Sequence, residues 1–222
     1  MIYITGDIHG EIERFRSKEC KKLKKGDTLI VLGDFGFLWD GSKRERRLLK
    51  WIGKRPYQVL FLEGSHDNLE LISKYPKEPW NGGMTRIVSG KLRHLCRGYI
   101  FYIEEKRIFA FGGGVSSDED VRLSEGKWWA ETLPNDDEIK SAWDKLSREN
   151  SRVDYIVTHQ SSLRIKQFLS INIKETSSLD VFLDEVRTKV AHKRWFFGEI
   201  HKNKRVTPTE IAVFDAVMQV EG

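Results

Sequence analysis

Short apolar runs recur along the whole chain, each stopped by a glycine, an aspartate or a histidine, and this pattern constrains the fold more than any other feature. Ile2–Thr5 runs into Gly6-Asp7-Ile8-His9, Thr28–Leu32 into Gly33-Asp34, and Tyr57–Leu62 is followed by Gly64-Ser65-His66-Asp67. Val153–Thr158 ends at His159, and Arg194–Phe197 ends at Gly198-Glu199-Ile200-His201. Runs this short and this uniformly apolar predict strands covered on both faces, the mark of a parallel sheet between helices. The intervening segments agree. Ile12, Phe15, Cys20 and Leu23 recur near helical spacing until Gly26, and Ser42 opens a charged helix carrying Leu48, Leu49 and Ile52 that Pro56 ends. A βαβαβ start predicts parallel strands joined by right-handed crossovers.

The middle of the chain reads differently. Arg86–Val88, Leu92–Cys96, Tyr99–Glu104 and Arg107–Phe111 are strand candidates divided by Gly90, Gly98 and a turn at Glu105–Lys106, which predicts an antiparallel meander. Two helices are expected next, around Glu119–Glu131 and Asn135–Arg148, parted by Pro134. Leu179, Phe182, Leu183, Val186 and Val190 mark a further helix, and Glu210–Phe214 a last strand. With no repeat or linker, residues 1–222 read as one domain with a helical elaboration near 115–150.

Composition excludes several classes. At 222 residues, 39% hydrophobic and 32% charged, the chain can bury a sizeable core and is not a disordered protein. Its two cysteines, Cys20 and Cys96, lie too far apart for a zinc knuckle and too few for a disulfide framework, so a reducing, cytoplasmic setting is expected. The start, MIYITGDIHG, has no basic segment followed by a long apolar one, so no signal peptide is expected, and no run reaches the length of a membrane span. A net charge of +5 and a pI near 9.1 suit an anionic substrate. They give no strong nucleic-acid signal, because the densest basic run, Lys21, Lys22, Lys24 and Lys25, is accounted for by the dipole at a helix C-terminus.

Each apolar run hands a polar residue to the same place. In open α/β sheets, ligands gather just beyond the carboxyl ends of the strands. Five separate runs deliver aspartate and histidine there, and four of the six histidines directly follow buried strands. Carboxylate oxygen and imidazole nitrogen are suitable donors for manganese, iron, zinc or nickel. Such clustering points to a metal centre more strongly than any single residue does.

The ordered set, DxH at Asp7 and His9, GD at Asp34, GxHD at His66 and Asp67, TH at His159 and GxxH at His201, resembles the calcineurin-like metallophosphoesterase superfamily. The resemblance implies an α/β fold, a four-layer sandwich of two mixed β-sheets flanked by helices. It also implies two divalent metal ions, manganese first among the candidates, and hydrolysis of a phosphate mono- or diester. On that basis Asp7, His9, Asp34 and His201 would hold the first ion, with Asp34 bridging to a second served by His159. His66 would assist the leaving group, and Asp67, beside it in sequence, is read as orienting or charging it.

Two positions depart from the family pattern. Ser65 stands where asparagine is usual, and Glu199 where histidine is usual; both positions serve the second ion. A serine hydroxyl is a poorer neutral ligand than an amide, whereas Glu199 is read either as an anionic substitute or as a loop carboxylate. The GDxxDRG segment of the protein phosphatases is also absent, which favours a small phosphorylated or nucleotide-like substrate over a phosphoprotein or a nucleic acid. A weakened binding or scaffold module on the same fold is the alternative from another class. Arg122, Lys202 and Asn203 are candidate substrate contacts, with Lys127, Trp128 and Trp129 near the first. Phe35, Phe37 and Trp39 are read either as an aromatic rim or as core, and Gly112–Gly114 as a strand-end loop before a phosphate cradle.

Overall fold

In the computed structural model the two halves of the chain build two sheets that lie face to face. The structure describes residues 1–116, 130–173 and 175–221. The expected helix around Glu119–Glu131, with Arg122, Lys127, Trp128 and Trp129, falls almost entirely outside them.

The first sheet contains β1 (Ile2–Thr5), β2 (Thr28–Val31), β3 (Gln58–Phe61), β4 (Lys77–Trp80), β5 (Gly83–Ser89), β6 (Leu92–Leu95) and the short β13 (Met218–Gln219). Their order is β13-β1-β2-β3-β6-β5-β4; β1, β2, β3 and β6 run parallel, and the outer strands antiparallel. The second sheet contains β7 (Tyr99–Ile103), β8 (Lys106–Phe111), β9 (Tyr155–Thr158), β10 (Arg194–Phe197), β11 (Lys204–Arg205) and β12 (Glu210–Ala212), ordered β11-β12-β10-β9-β8-β7. There β8, β9, β10 and β12 are parallel, with antiparallel edges.

Strand periodicity sorts the core into layers. Along β2, Ile30 faces the other sheet, where it joins Phe101, Ala110, Val157 and Phe196. Its neighbours Leu29 and Val31 face the opposite way, against Phe15 and Cys20 and against Leu49 and Ile52 of helix α2 (Lys43–Gly53). On the far side, Phe109, Ile156, Trp195 and Phe197 pack on Ala142 and Leu146 of α4 (Asp136–Arg148), Ile165 of α5 (Leu163–Phe168) and Phe182 and Val186 of α6 (Ser178–Lys189). Helices, sheet, sheet and helices make the four expected layers. Ser42, Asn135 and Ser177 cap α2, α4 and α6 by accepting backbone N–H bonds, and the last two complete capping boxes.

Three expectations are corrected. The meander is not one sheet: β5 and β6 close the first sheet, and β7 and β8 open the second, because β6 pairs in parallel with β3 and the chain crosses over at Arg97-Gly98. The first helix is broken. A 3-10 turn at Ile12–Arg16 gives way at Ser17, whose extended backbone and Cys20-capping side chain restart the chain as α1 (Lys18–Lys22). The β7–β8 turn lies at Glu104 and Glu105, both with positive φ, one residue before its expected place. No helix among the described residues is long and apolar enough to cross a membrane.

Candidate metal centre

The parallel strands of both sheets end on one edge, and their following residues converge there. Asp7 follows β1, Asp34 follows β2, His66 follows β3 after a short turn, His159 follows β9 and His201 follows β10. His201 Nε2 lies 2.8 Å from Asp7 Oδ2 and 3.2 Å from His9 Nε2, while His9 Nε2 is 4.0 Å from the same Asp7 oxygen. His9 Nδ1 is also 4.0 Å from Asp34 Oδ2, and His66 Nδ1 is 2.5 Å from that oxygen. On the buried side, His159 Nδ1 lies 3.4 Å from Asp7 Oδ1 and its Nε2 3.8 Å from Asp34 Oδ1. Three overlapping donor triplets result: Asp7, His9 and His201; His9, Asp34 and His66; Asp7, Asp34 and His159. Asp7, His9 and Asp34 each belong to two of the three.

The backbone is bent to reach this arrangement. His9, Asp34 and His201 all hold left-handed φ values, of 49°, 41° and 47°. Side chains other than glycine rarely adopt that region, and such strain gathers at functional sites. The neighbouring glycines are required by close approach: a Cβ on Gly64 would stand 2.0 Å from Asp34 Oδ1, and one on Gly198 2.3 Å from Asp7 Oδ1.

The electrostatics fit a cation. Burial alone would lift the pKa of Asp34, yet His159 and His66 outweigh it and hold the carboxyl far below its usual range. Burial would lower His159, yet Asp34 and Asp7 outweigh it and lift the imidazole to about 10. His201 is raised by its hydrogen bond to Asp7. Two buried carboxylates that hold a proton this firmly would hold a divalent ion in its place. Asp7 Oδ1 is itself buried without a hydrogen bond, an acceptor left available to a ligand.

The remaining expected residues divide. Ser65 belongs to the cluster, with Oγ 3.4 Å from His159 Nε2 and 3.4 Å from His66 Nδ1. Glu199 stands outside the three triplets. Its Oε2 accepts from the Ser161 backbone N at 3.0 Å, and its Oε1 pairs with Lys166 Nζ at 3.1 Å. Asp67 is buried and accepts from the backbone N–H groups of Phe35, Gly36 and Gly64 at 3.1, 3.0 and 2.9 Å, so it ties two strand-end loops together. Burial and the nearby Asp34 carboxylate raise its pKa to about 6 against those three donors. Lys202 is exposed, and Asn203 spends its amide on Asp215 and on the Phe214 backbone N.

Phe35 and Phe37 are core, not rim: both are buried, and Phe35 stacks on Phe61 with ring centroids 4.2 Å apart. The Gly113 and Gly114 amides are taken by Glu63 O and Thr132 O, so neither is left to cradle a phosphate; the loop's last residues, 117–118, lie outside the described ones. Two participants were missed. Arg14 clamps the end of β1, donating from Nη1 to Thr5 Oγ1 at 2.8 Å and Phe214 O at 2.7 Å. Ser116 Oγ lies 3.2 Å from His66 Nε2. Neither carries a sequence signal, since one is a charged residue in an amphipathic stretch and the other a loop serine.

Residues 1–202 match the family described as calcineurin-like phosphoesterases. The chain belongs to that family. As a calcineurin-like phosphoesterase it shares with its family the two mixed sheets and flanking helices, and the family implies a metal-dependent phosphoester hydrolase. A solved structure of a protein of unknown function from Aquifex aeolicus is similar at 17% identity and a TM-score of 0.38, covering 86% of this chain and 87% of that one. No curated protein matches the chain.

Proposed function

We propose that this calcineurin-like phosphoesterase hydrolyses a phosphate ester, mono- or diester, of a small phosphorylated or nucleotide-like molecule. The observation that carries this reading is the overlap of three aspartate–histidine triplets at the strand ends of a family member. Asp7, His9, Asp34 and His201 would hold one ion, and Asp34, His159 and Ser65 a second, weaker one. Bound divalent ions, manganese first among the candidates, would supply an activated water and positive charge for the phosphoryl oxygens.

The chain's own residues account for the rest. Asp34 Oδ2 holds His66 Nδ1 at 2.5 Å, so Nε2, which lies 3.2 Å from Ser116 Oγ, is the nitrogen that would give a proton to the departing oxygen. Asp67 fixes the Phe35 and Gly36 amides, and through them the strained backbone that aims Asp34. Lys202, exposed beside His201, would meet the charge of the phosphate. Cys20 and Cys96 are both unpaired, which supports a reducing compartment.

The test is release of nitrophenolate from aryl phosphate mono- and diesters, with manganese and then after chelation. Turnover that chelation abolishes and manganese restores is expected. No turnover of either ester with manganese, iron, zinc or nickel would overturn the reading and leave a binding module.

A further inference from the structure

A second polar centre lies on the other side of the His66 loop. Glu63, 1% exposed, follows β3 and directly precedes Gly64-Ser65-His66. Its Oε2 lies 2.6 Å from His94 Nε2, and its Oε1 accepts from Arg97 Nε at 2.6 Å. One carboxylate therefore brackets two cationic side chains. Arg97 is always charged. Burial would lower the pKa of His94, but Glu63 chiefly, with Cys96 nearby, outweighs it and lifts the imidazole to about 9. At neutral pH the trio carries one net positive charge, which Glu138 faces from 3.7 Å.

Its donors are not used up. His94 Nδ1 and Arg97 Nη1 are both buried, and neither meets an oxygen or nitrogen acceptor at hydrogen-bonding distance, although the Cys96 thiol also interacts with the imidazole. Glu138 Oε2 stands 3.7 Å from Arg97 Nη1, within ion-pair reach but too far for a hydrogen bond. The His94 and Arg97 side chains are only 6% and 7% exposed. A buried N–H without an acceptor is costly, and more so when charged, so a ligand that supplied an acceptor to these donors would relieve that cost.

There is room for one. Glu63, His94 and Arg97 line an open cavity of about 940 Å³, together with Leu69 and Ile72 of α3 (Leu69–Ser73) and Ser141 of α4. That volume is in the range of small-molecule sites, about 300–1,000 Å³. None of the metal-centre residues lines it. Its walls carry Lys77, Arg86 and Lys145 as well as Glu70, Glu131, Asp137 and Glu138, so further cations are available to an anionic ligand among the acids.

We propose that this cavity is a binding site, separate from the metal centre, for a small molecule bearing an oxyanion group that accepts from Arg97 Nη1 and His94 Nδ1. The group is a phosphate or a carboxylate. Glu63 also joins the cavity to the loops around the metal centre, since its main-chain O accepts from Gly113 N at 2.8 Å and its own residue leads into the His66 turn.

The test follows the imidazole resonances of the intact protein, labelled with nitrogen-15 at its six histidines, during titration with inorganic phosphate and, separately, acetate. The His94 resonances are expected to move saturably with at least one anion at about millimolar concentration. Arg97→Lys keeps a cation beside Glu63 but removes Nη1, so it should weaken that response at least about tenfold, a difference of about 1.4 kcal/mol. Arg97→Gln provides a second removal should the lysine variant not fold. Shifts of His9, His159 and His201 report phosphate at the metal centre and are read separately. A response to phosphate alone or acetate alone identifies the group. His94 resonances that answer neither anion, or that answer unchanged when Nη1 is gone, would overturn the site.

Discussion

Replacing Glu63 by glutamine removes a negative charge from the interior and leaves two positive charges behind. Its size can be worked out in two ways. The lift of His94 from 6.5 to about 9 corresponds, at about 1.4 kcal/mol per unit, to about 3 kcal/mol of stabilisation of the imidazolium. Independently, removing one partner of a buried ion pair costs about 3–5 kcal/mol. His94 can shed its proton once Glu63 is gone, but Arg97 cannot, so the loss at neutral pH is set near the lower figure. For a chain of this length a loss of about 3 kcal/mol lowers the thermal midpoint by about 6–12 °C. The pH dependence gives a second check. His94 has its folded pKa raised, so its contribution is complete below 6.5 and is lost as pH rises through about 9. Glu63 has its folded pKa lowered from 4.5 to about 2, so its contribution is complete above 4.5 and is lost as pH falls through about 2. The stability difference between the native protein and Glu63→Gln, measured by thermal unfolding in parallel buffers, should therefore shrink as pH rises from 6.5 to 9. A midpoint lowered by less than about 2 °C, or a difference that stays constant across the alkaline range, would refute the reasoning.

At the metal centre, Asp34→Asn should remove most activity and most bound metal while circular dichroism stays native, because Asp34 serves two donor triplets; metal content equal to that of the native protein would sink the shared-carboxylate reading. His66→Gln should retain metal and lose turnover by about 10²–10⁴-fold if it acts as general acid, and lose less with a nitrophenol leaving group than with an alkyl one. An equal loss for both leaving groups would remove the acid role. Glu199→Ala should leave the manganese concentration for half-activation unchanged, since both of its oxygens are engaged by Ser161 and Lys166. A rise in that concentration would make Glu199 a ligand.

What could be read from the sequence follows physical lines. Strands buried on both faces, such as Thr28–Val31, announce themselves as unbroken apolar runs, and the ligands could be found because each follows such a run. Edge strands carry no such signal. Lys77–Trp80 contains Pro79 and alternates exposed with half-buried residues, so it reads as loop. The division of the meander between two sheets depends on which distant strand β6 pairs with, and nothing local in Leu92–Leu95 specifies β3. Distance in sequence also hid the Glu63 trio, because one glutamate after an apolar run looks like a turn residue until His94 and Arg97 are brought to it. Asp67 illustrates the opposite error. Adjacency suggested a partnership with the His66 ring, yet a strand-end turn aims successive side chains in different directions, and the Asp67 carboxylate meets three backbone amides instead.

The departure at Glu199 acquires a physical meaning once its neighbours are known. Read along the chain it is a missing histidine and hence a weakened metal site. In the fold, Lys166 Nζ, buried, sits 3.1 Å from Glu199 Oε1 and 3.1 Å from Asp180 Oδ1. Asp180 in turn accepts from Gln160 Nε2 at 2.8 Å, and Gln160 Oε1 accepts from Val115 N at 2.9 Å. The network therefore joins the loops that follow β8, β9 and β10, the strand ends of the second sheet. Loops carrying metal ligands are commonly held in place by the ion itself together with the hydrogen bonds around it. Here protein charges span the same loops directly, so the backbone around His159 is fixed whether or not a second ion binds. On the proposed two-ion reading, a histidine ligand exchanged for an internal salt bridge would cost affinity at one ion and preserve the geometry of the other. That is the balance the proposed site would need if Asp7, His9, Asp34 and His201 formed its stronger half.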